Sequence, residues 1–302
     1  GPSSSSTPTD MGFDLFYGYM CQRMAQNYYP MFLYRNRERE ALDNPFMELG
    51  STLGPEDDPF DEASYIRFKG NDYSPDRMFD EIKGFVNENR HEEFFLMWTT
   101  TLPHAAFQAP DEMVDYYVKK FADEYDVTET PVYNGKGYFP CRYPKATYAA
   151  MITYFDQQIG KLIDELKRLG IYDNTIIMFT SDNGPTHNAY TSTDWFECAA
   201  PFRSIKGWTK RSLHEGGIRV PFIVSWGDRL TPEVSDHIGF FPDVMPTLCD
   251  IADVKCPETD GISFLPILTG DRQKEHKYLY WEFPPFKADK GWLCVRMGEW
   301  KG

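Results

Sequence analysis

The chain has little positive charge for its length. In 302 residues, 31 Lys and Arg stand against 46 Asp and Glu, which gives a formal net charge of −15 at pH 7. Because nucleic-acid phosphates are held by clustered Lys and Arg, this deficit argues against a nucleic-acid partner. It leaves room for a small anionic substrate in a locally basic pocket. No apolar run reaches the roughly 18 residues that a membrane span needs, so no membrane partner is predicted.

Cysteines are few and scattered. The six cysteines form neither a C-x-x-C motif nor a dense framework, so they define no redox compartment. Cys249 and Cys256 are either a local pair or separate buried thiols, and we favour buried thiols. The first residue is not Met, residues 1–6 are typical of a tag remnant or a flexible loop, and residues 300–302 stop within what looks like an element. We therefore expect the sequence to be a fragment.

A helix followed by a short turn and an apolar strand sets the predicted fold class. Seven apolar side chains from Tyr148 to Leu169 step by four and three, which predicts a helix over residues 146–169. Gly170 is expected to end it. The β-prone run from Thr175 to Thr180 does not alternate, which predicts a strand buried on both faces. Together these form half of a β-α-β unit, so the fold class is predicted to be α/β.

Other segments give shorter patterns. Helices are predicted over 75–90 and 240–250, and strands over 93–100 and 220–226. Residues 11–36 are expected to be irregular but ordered, and residues 37–75 are expected to form loops with a lid-like excursion. The runs 278–283 and 292–296 are separated by Pro284-Pro285 and a Gly-containing turn, which predicts pairing at the start of a small antiparallel sheet.

The turn after the strand at 175–180 carries oxygen ligands. Asp182 and Asn183 stand directly beyond the strand, and ligands in open α/β sheets collect at the carboxyl ends of strands. Their side-chain oxygens suit Ca²⁺ or Mg²⁺. Asn183-Gly184 is also a hairpin signal, but no alternating strand follows Pro185. The pattern indicates a metal or anion site, with a plain turn as the alternative.

Two more features of the sequence are candidates for parts of a site. Residues 202–219 hold five basic side chains against Glu215 alone, and their place after Asp182 favours an anion-binding loop over an ordinary solvated loop. His104 falls where the strand predicted at 93–100 passes into a loop. Because a lone His is more often a packed or surface residue than a catalyst, position alone assigns it no role.

The order of these motifs resembles the type I sulfatases (arylsulfatases) of the alkaline phosphatase superfamily. The similarity covers nearly the whole chain and is carried by Phe179-Thr-Ser-Asp-Asn-Gly-Pro185, Lys210-Arg-Ser-Leu-His-Glu-Gly-Gly-Ile-Arg-Val-Pro-Phe222 and Asp243-Val-Met-Pro-Thr247. It implies an alkaline-phosphatase-like central mixed sheet flanked by helices. Residues 1–274 would form the catalytic domain without its amino-terminal part, and residues 275–302 would begin a small carboxyl-terminal subdomain.

The resemblance also implies roles for single residues. Asp182 and Asn183 correspond to two ligands of Ca²⁺, with Mg²⁺ as a possible substitute. His104 corresponds to the histidine that contacts the sulfate and assists the leaving oxygen, and Lys210 to the lysine that holds the sulfate. Lys206 competes with Lys210 for that role, and the spacing to Glu215 favours Lys210.

Three segments of the family are not found in this sequence. They are an earlier aspartate pair for the metal, the C-x-P-S-R segment whose cysteine becomes formylglycine, and a lysine-histidine segment after it. The segment at Cys198 has its Arg one position too late, and the segment at Cys141 has no Ser-Arg. Formylglycine is therefore expected upstream of this chain. Gln26 stands where relatives often have His.

The function implied is hydrolysis of sulfate monoesters of carbohydrates or aryl alcohols, with a sulfated small molecule or glycan as partner. A phosphatase or phosphonate monoester hydrolase of the same superfamily is one alternative, and an inactive glycan-binding fragment is another. The resemblance suggests a secreted, periplasmic or lysosomal location, and oligomeric state is not predicted. Alone, these 302 residues are expected to show no turnover and to bind Ca²⁺ weakly.

Overall fold

The computed structural model describes residues 3–124, 137–187, 192–283 and 291–302. The chain divides into two compact units, the first formed by Gly1–Ile171 with Asn188–Ser192 and the second by Tyr172–His187 with Thr193–Gly302. Among the described helices, none has the length and apolar character to span a membrane. All six cysteines are free thiols, with Cys249 buried and Cys256 partly exposed.

The described residues form six α-helices and three small sheets, and every strand pair within these sheets is antiparallel. The helices are α1 (Ser74–Glu88), α2 (Asp111–Phe121), α3 (Pro144–Arg168), α4 (Glu215–Ile218), α5 (Val244–Ile251) and α6 (Leu265–Leu268). One sheet holds β1 (Tyr17–Gly18), β2 (Phe32–Arg35) and β3 (Glu38–Ala41). A second holds β4 (Ile177–Thr180) and β5 (Phe222–Ser225), and a third holds β6 (Leu279–Phe283), β7 (Trp292–Met297) and β8 (Trp300–Lys301).

The core of the first unit is a cluster of buried tyrosines between α1 and α3. Tyr73 lies at the start of α1, with its ring centroid 5.3 Å from that of Tyr154 on α3. The buried Gln108 side chain accepts a hydrogen bond from the Tyr28 backbone N–H at 2.9 Å and donates to the Phe68 carbonyl at 2.6 Å. Burial raises the pKa of Tyr73 well above its usual value. These phenols therefore stay neutral and act as packing groups.

The longest predicted helix is confirmed, with slightly different ends. α3 begins with Pro144 in its first turn, where a missing N–H costs nothing. Gly170 follows its cap in the left-handed conformation, with φ of 72°, as a helix-ending glycine should. The ends of α1 agree with the predicted range 75–90 to within two residues. The helix predicted over 240–250 is divided into a 3-10 turn, Phe241–Asp243, and α5.

The strand predicted over 93–100 is wrong. These residues pair with no strand in the described parts of the chain. Phe94 and Trp98 pack on aromatic rings of α1 and α3, whereas Phe95 and Met97 are 56% and 59% exposed. The continuous apolar run suggested two buried faces, but only one face is covered.

Two other strand predictions also need correction. β2 and β3 form a hairpin in a region expected to be irregular, with Asn36 at φ 53° in the connection between Arg35 and Glu38. β4 is present, but its residues are only partly buried, and it pairs antiparallel with β5. The expected burial on both faces of β4 is therefore not observed.

The small carboxyl-terminal sheet forms as predicted. β6 and β7 pair from Leu279 with Arg296 to Phe283 with Trp292. β8 adds a third strand that places Arg296 beside Lys301. The connection at Pro284-Pro285 lies outside the described residues. The proposed subdomain boundary at 274 stays a prediction.

Candidate active site

The candidate metal ligands lie on the turn that leaves β4, in the second unit. Ser181 Oγ donates to the Asn183 carbonyl at 3.0 Å, and Asn183 Nδ2 donates to the Gly184 carbonyl at 3.1 Å. Asn183 Oδ1 accepts no hydrogen bond from a described residue. The exposed Asp182 carboxylate makes no hydrogen bond or ion pair with any described residue. The turn therefore presents a free carboxylate beside a carboxamide oxygen.

Three glycines bring this turn into direct backbone contact with α4 and with the basic loop. We call Gly184, Gly216 and Gly217 the glycine layer. The Gly184 N–H donates to the Gly217 carbonyl at 2.9 Å. A Cβ at Gly184 would lie 1.9 Å from the Gly216 carbonyl oxygen, and a Cβ at Gly217 would lie 2.3 Å from the Ser212 carbonyl oxygen. Only residues without a side chain permit this approach.

Lys210 lies on the segment that contacts the ligand turn. Its backbone N–H donates to the Pro185 carbonyl at 2.9 Å, three residues beyond Asp182. The Lys210 side chain is partly buried and has no ion pair with a described residue. The cation is thus free to hold an anion.

Lys206, the competing lysine, lies elsewhere on the same loop. It is exposed in a turn closed by the Trp208 N–H and the Ile205 carbonyl at 3.1 Å. No described backbone hydrogen bond joins it to the Asp182 turn. The structure therefore places Asp182, Asn183 and Lys210 on adjoining segments and leaves Lys206 at the surface of the loop.

Glu215, the one acidic residue of the basic segment, is surrounded by cations. Its carboxylate lies 2.5 Å from Lys301 Nζ, 3.6 Å from Arg219 and 4.0 Å from Arg296. Burial tends to raise the pKa of Glu215, but the hydrogen bond from Lys301 and the positive charges outweigh it and lower the pKa. From the sequence, Glu215 is the one acid of the basic segment and a spacing marker for Lys210, and its ion pairs with Lys301 and Arg296 are not predicted.

His104 belongs to the first unit, and its ring is held in one orientation. Its Nδ1 lies 2.6 Å from the Ala105 carbonyl oxygen. Because that oxygen can only accept, Nδ1 carries a proton and Nε2 is left for a ligand. The Tyr28 hydroxyl donates to the His104 carbonyl at 2.8 Å, which anchors the loop. The role in contacting the sulfate that the resemblance implies for His104 stays a prediction.

The donors on the turn fit part of a calcium shell. In the described ranges, no three His, Cys, Asp or Glu side chains gather in a way that could hold a metal ion. Ca²⁺ takes 6–8 oxygen ligands. Asp182 and Asn183 have suitable atoms, but the two side chains alone would leave most of the shell unfilled.

Comparison with known proteins places the chain among sulfatases. The Sulfatase family model matches residues 2–254, and the chain belongs to that family. It is 28% identical over 280 residues to the uncharacterized sulfatase YdeN of Escherichia coli, covering 91% of this chain and 40% of YdeN. It is 30% identical over 181 residues to choline-sulfatase of Rhizobium meliloti, covering 59% of this chain and 30% of that protein. The chain thus spans less than half of either relative.

Solved structures confirm the alkaline-phosphatase-like fold class. The crystal structure of Ps i-CgsB has a TM-score of 0.67 at 22% identity, covering 99% of this chain and 59% of that one. A structure of BT4656 in complex with its substrate D-glucosamine-2-N,6-O-disulfate has a TM-score of 0.59 at 17% identity, covering 96% and 66%. At these identities the likeness establishes the fold.

Proposed function

We propose that the protein is a sulfuric ester hydrolase acting on sulfate monoesters, and that Asp182, Asn183 and Lys210 form part of its anion site. The observation that carries the proposal is that the Asp182 carboxylate and the Lys210 ammonium group lie on adjoining segments and that neither has an ion-pair partner among the described residues. Lys210 N–H bonds to Pro185, and the glycine layer fixes the Asp182 turn against the same loop. A sulfate needs both a cation site and a fixed positive group.

Each residue has a distinct role in this proposal. Asp182 and Asn183 would contribute oxygen ligands to Ca²⁺, or to Mg²⁺, which when bound would neutralise charge on the nonbridging sulfate oxygens. Lys210 would hold the sulfate through its ammonium group. His104, with Nε2 available, would donate a proton to the leaving alcohol oxygen when the ring is protonated. The nucleophile, formylglycine by resemblance, is not among these residues.

A sulfated carbohydrate is the substrate class that we propose. The support comes from similar proteins, among them an endo-4-O-sulfatase of Bacteroides thetaiotaomicron at 26% identity over 197 residues, covering 63% of this chain and 35% of that protein. The BT4656 complex contains a sulfated glucosamine. A phosphatase of the same superfamily would share the cation site and the lysine. Whether the enzyme cleaves a sulfate or a phosphate ester therefore has to be tested directly.

Lys210→Ala is expected to lower kcat/KM for an aryl sulfate by about 10²-fold, because one positive group would be lost from the transition state. The assay should use the longest natural chain that contains these residues. Lys206→Ala is the matched control on the same loop and is expected to change kcat/KM less than about threefold. A loss in Lys206→Ala alone would move the role to Lys206, an equal loss in both variants would contradict a role for Lys210 alone, and no loss in either would refute the site. Faster turnover of the matching aryl phosphate would favour the phosphatase.

A further inference from the structure

The carboxyl-terminal sheet contacts α4 through one carboxylate, that of Glu215. Arg296 on β7 and Lys301 on β8 are cross-strand partners, so one face of the sheet presents two cations together. Both approach Glu215 at the start of α4, and their side chains are only 22% and 19% exposed. Partial burial reduces the screening by water that weakens ordinary surface pairs. The contact therefore joins two segments that lie 86 residues apart in the sequence.

A second contact between the same elements lies beside Glu215. The ring of His214 stacks on Trp208 with centroids 4.0 Å apart, and it meets the ring of Trp292 on β7 at 6.1 Å. The Arg203 guanidinium lies 4.2 Å from the centroid of Trp208. The sheet thus touches both residues that open α4, one through charge and one through aromatic packing.

Direct backbone contacts link the position of α4 to the candidate site. Gly216 and Gly217 follow Glu215 directly, and their backbones contact the turn at Gly184 and the segment that carries Lys210. Thr209 and Ser212, on either side of Lys210, have carbonyl oxygens 2.6 Å and 2.3 Å from the place of a Gly217 Cβ. In such close packing a shift of Glu215 displaces the segment that carries Lys210 relative to the ligand turn.

We infer that Glu215, held by Lys301 and Arg296, is a positioning residue that sets Lys210 against the Asp182 turn. The inference rests on the proposed function. Neither Lys301 nor Arg296 needs to touch the substrate, because both act through Glu215 and the glycine layer. The small sheet thereby becomes part of the anion site's support.

The test is a double-mutant cycle between Lys301 and Lys210 in the longest natural chain. Lys301→Met is expected to lower kcat/KM for an aryl sulfate about tenfold, since small misplacements of a binding group are costly. Lys301→Arg should restore most of that activity by keeping the charge. Adding Lys301→Met to Lys210→Ala should cost less than about twofold, because Lys301 acts only through Lys210.

A matched control separates positioning from stability. Glu81→Gln removes the Arg35–Glu81 ion pair in the first unit. It should leave kcat/KM unchanged while shifting Tm by about as much as Lys301→Met does. Full additivity of Lys301→Met with Lys210→Ala, or no effect of Lys301→Met, would overturn the inference. Absence of any effect of Lys210→Ala would instead refute the proposed function, so the two failures can be distinguished.

Discussion

Replacing Asp243 by Ala is expected to lower the free energy of unfolding by about 3–5 kcal/mol. Asp243 is 1% exposed. Its carboxylate accepts hydrogen bonds from the Phe240 N–H at 3.0 Å and the Ile262 N–H at 2.8 Å, and His276 Nε2 lies 2.8 Å away. Alanine would leave these three partly buried donors without their acceptor. Urea unfolding followed by tryptophan fluorescence measures the change.

Asp250→Ala, on the helix α5 that follows Asp243, is the matched control. Asp250 lies near the end of α5 and is exposed, so its loss should change stability by no more than about 0.5 kcal/mol. Asp243→Asn separates charge from shape, because the amide can still accept some of these hydrogen bonds. A loss below about 1 kcal/mol in Asp243→Ala would show that the three donors find other partners.

The α-helical part of the fold was predictable because helices are specified by local sequence. The spacing of apolar residues in α3, together with Gly170, is enough to predict both its existence and its end. A strand depends on what lies beside it. Residues 93–100 have the composition of a buried strand, yet Phe95 and Met97 face outward and the segment has no ladder partner in the described residues.

The sequence predicts members of the candidate site but not their support. Asp182, Asn183 and Lys210 stand in motifs whose order resembles a family, which is the basis for predicting them. Lys301 pairs with Glu215 across 86 positions, and His276 pairs with Asp243 across 33. No local pattern predicts either pair, because each depends on how separate segments pack. Glu215 could have been suspected as one acid among five bases.

Gly184→Ala is expected to lower the free energy of unfolding by more than about 4 kcal/mol. Its Cβ would lie 1.9 Å from the Gly216 carbonyl oxygen and 3.0 Å from the Gly217 Cα. Both are backbone atoms, so no side-chain rotation can relieve the overlap. The turn would have to move, breaking the Gly184 N–H bond to Gly217 and displacing Asp182 and Asn183.

The same substitution at Gly160 is the control, and it should have the opposite sign. Gly160 lies inside α3, and nothing stands within 4 Å of the position its Cβ would take. Alanine there should stabilise the protein by about 0.5–1 kcal/mol through helix propensity. Urea unfolding of both variants tests the pair, and calcium titration of any folded Gly184→Ala protein tests the turn. Unchanged stability in Gly184→Ala would mean that the glycine layer can open, and the route from Glu215 to Lys210 would then lose its physical basis.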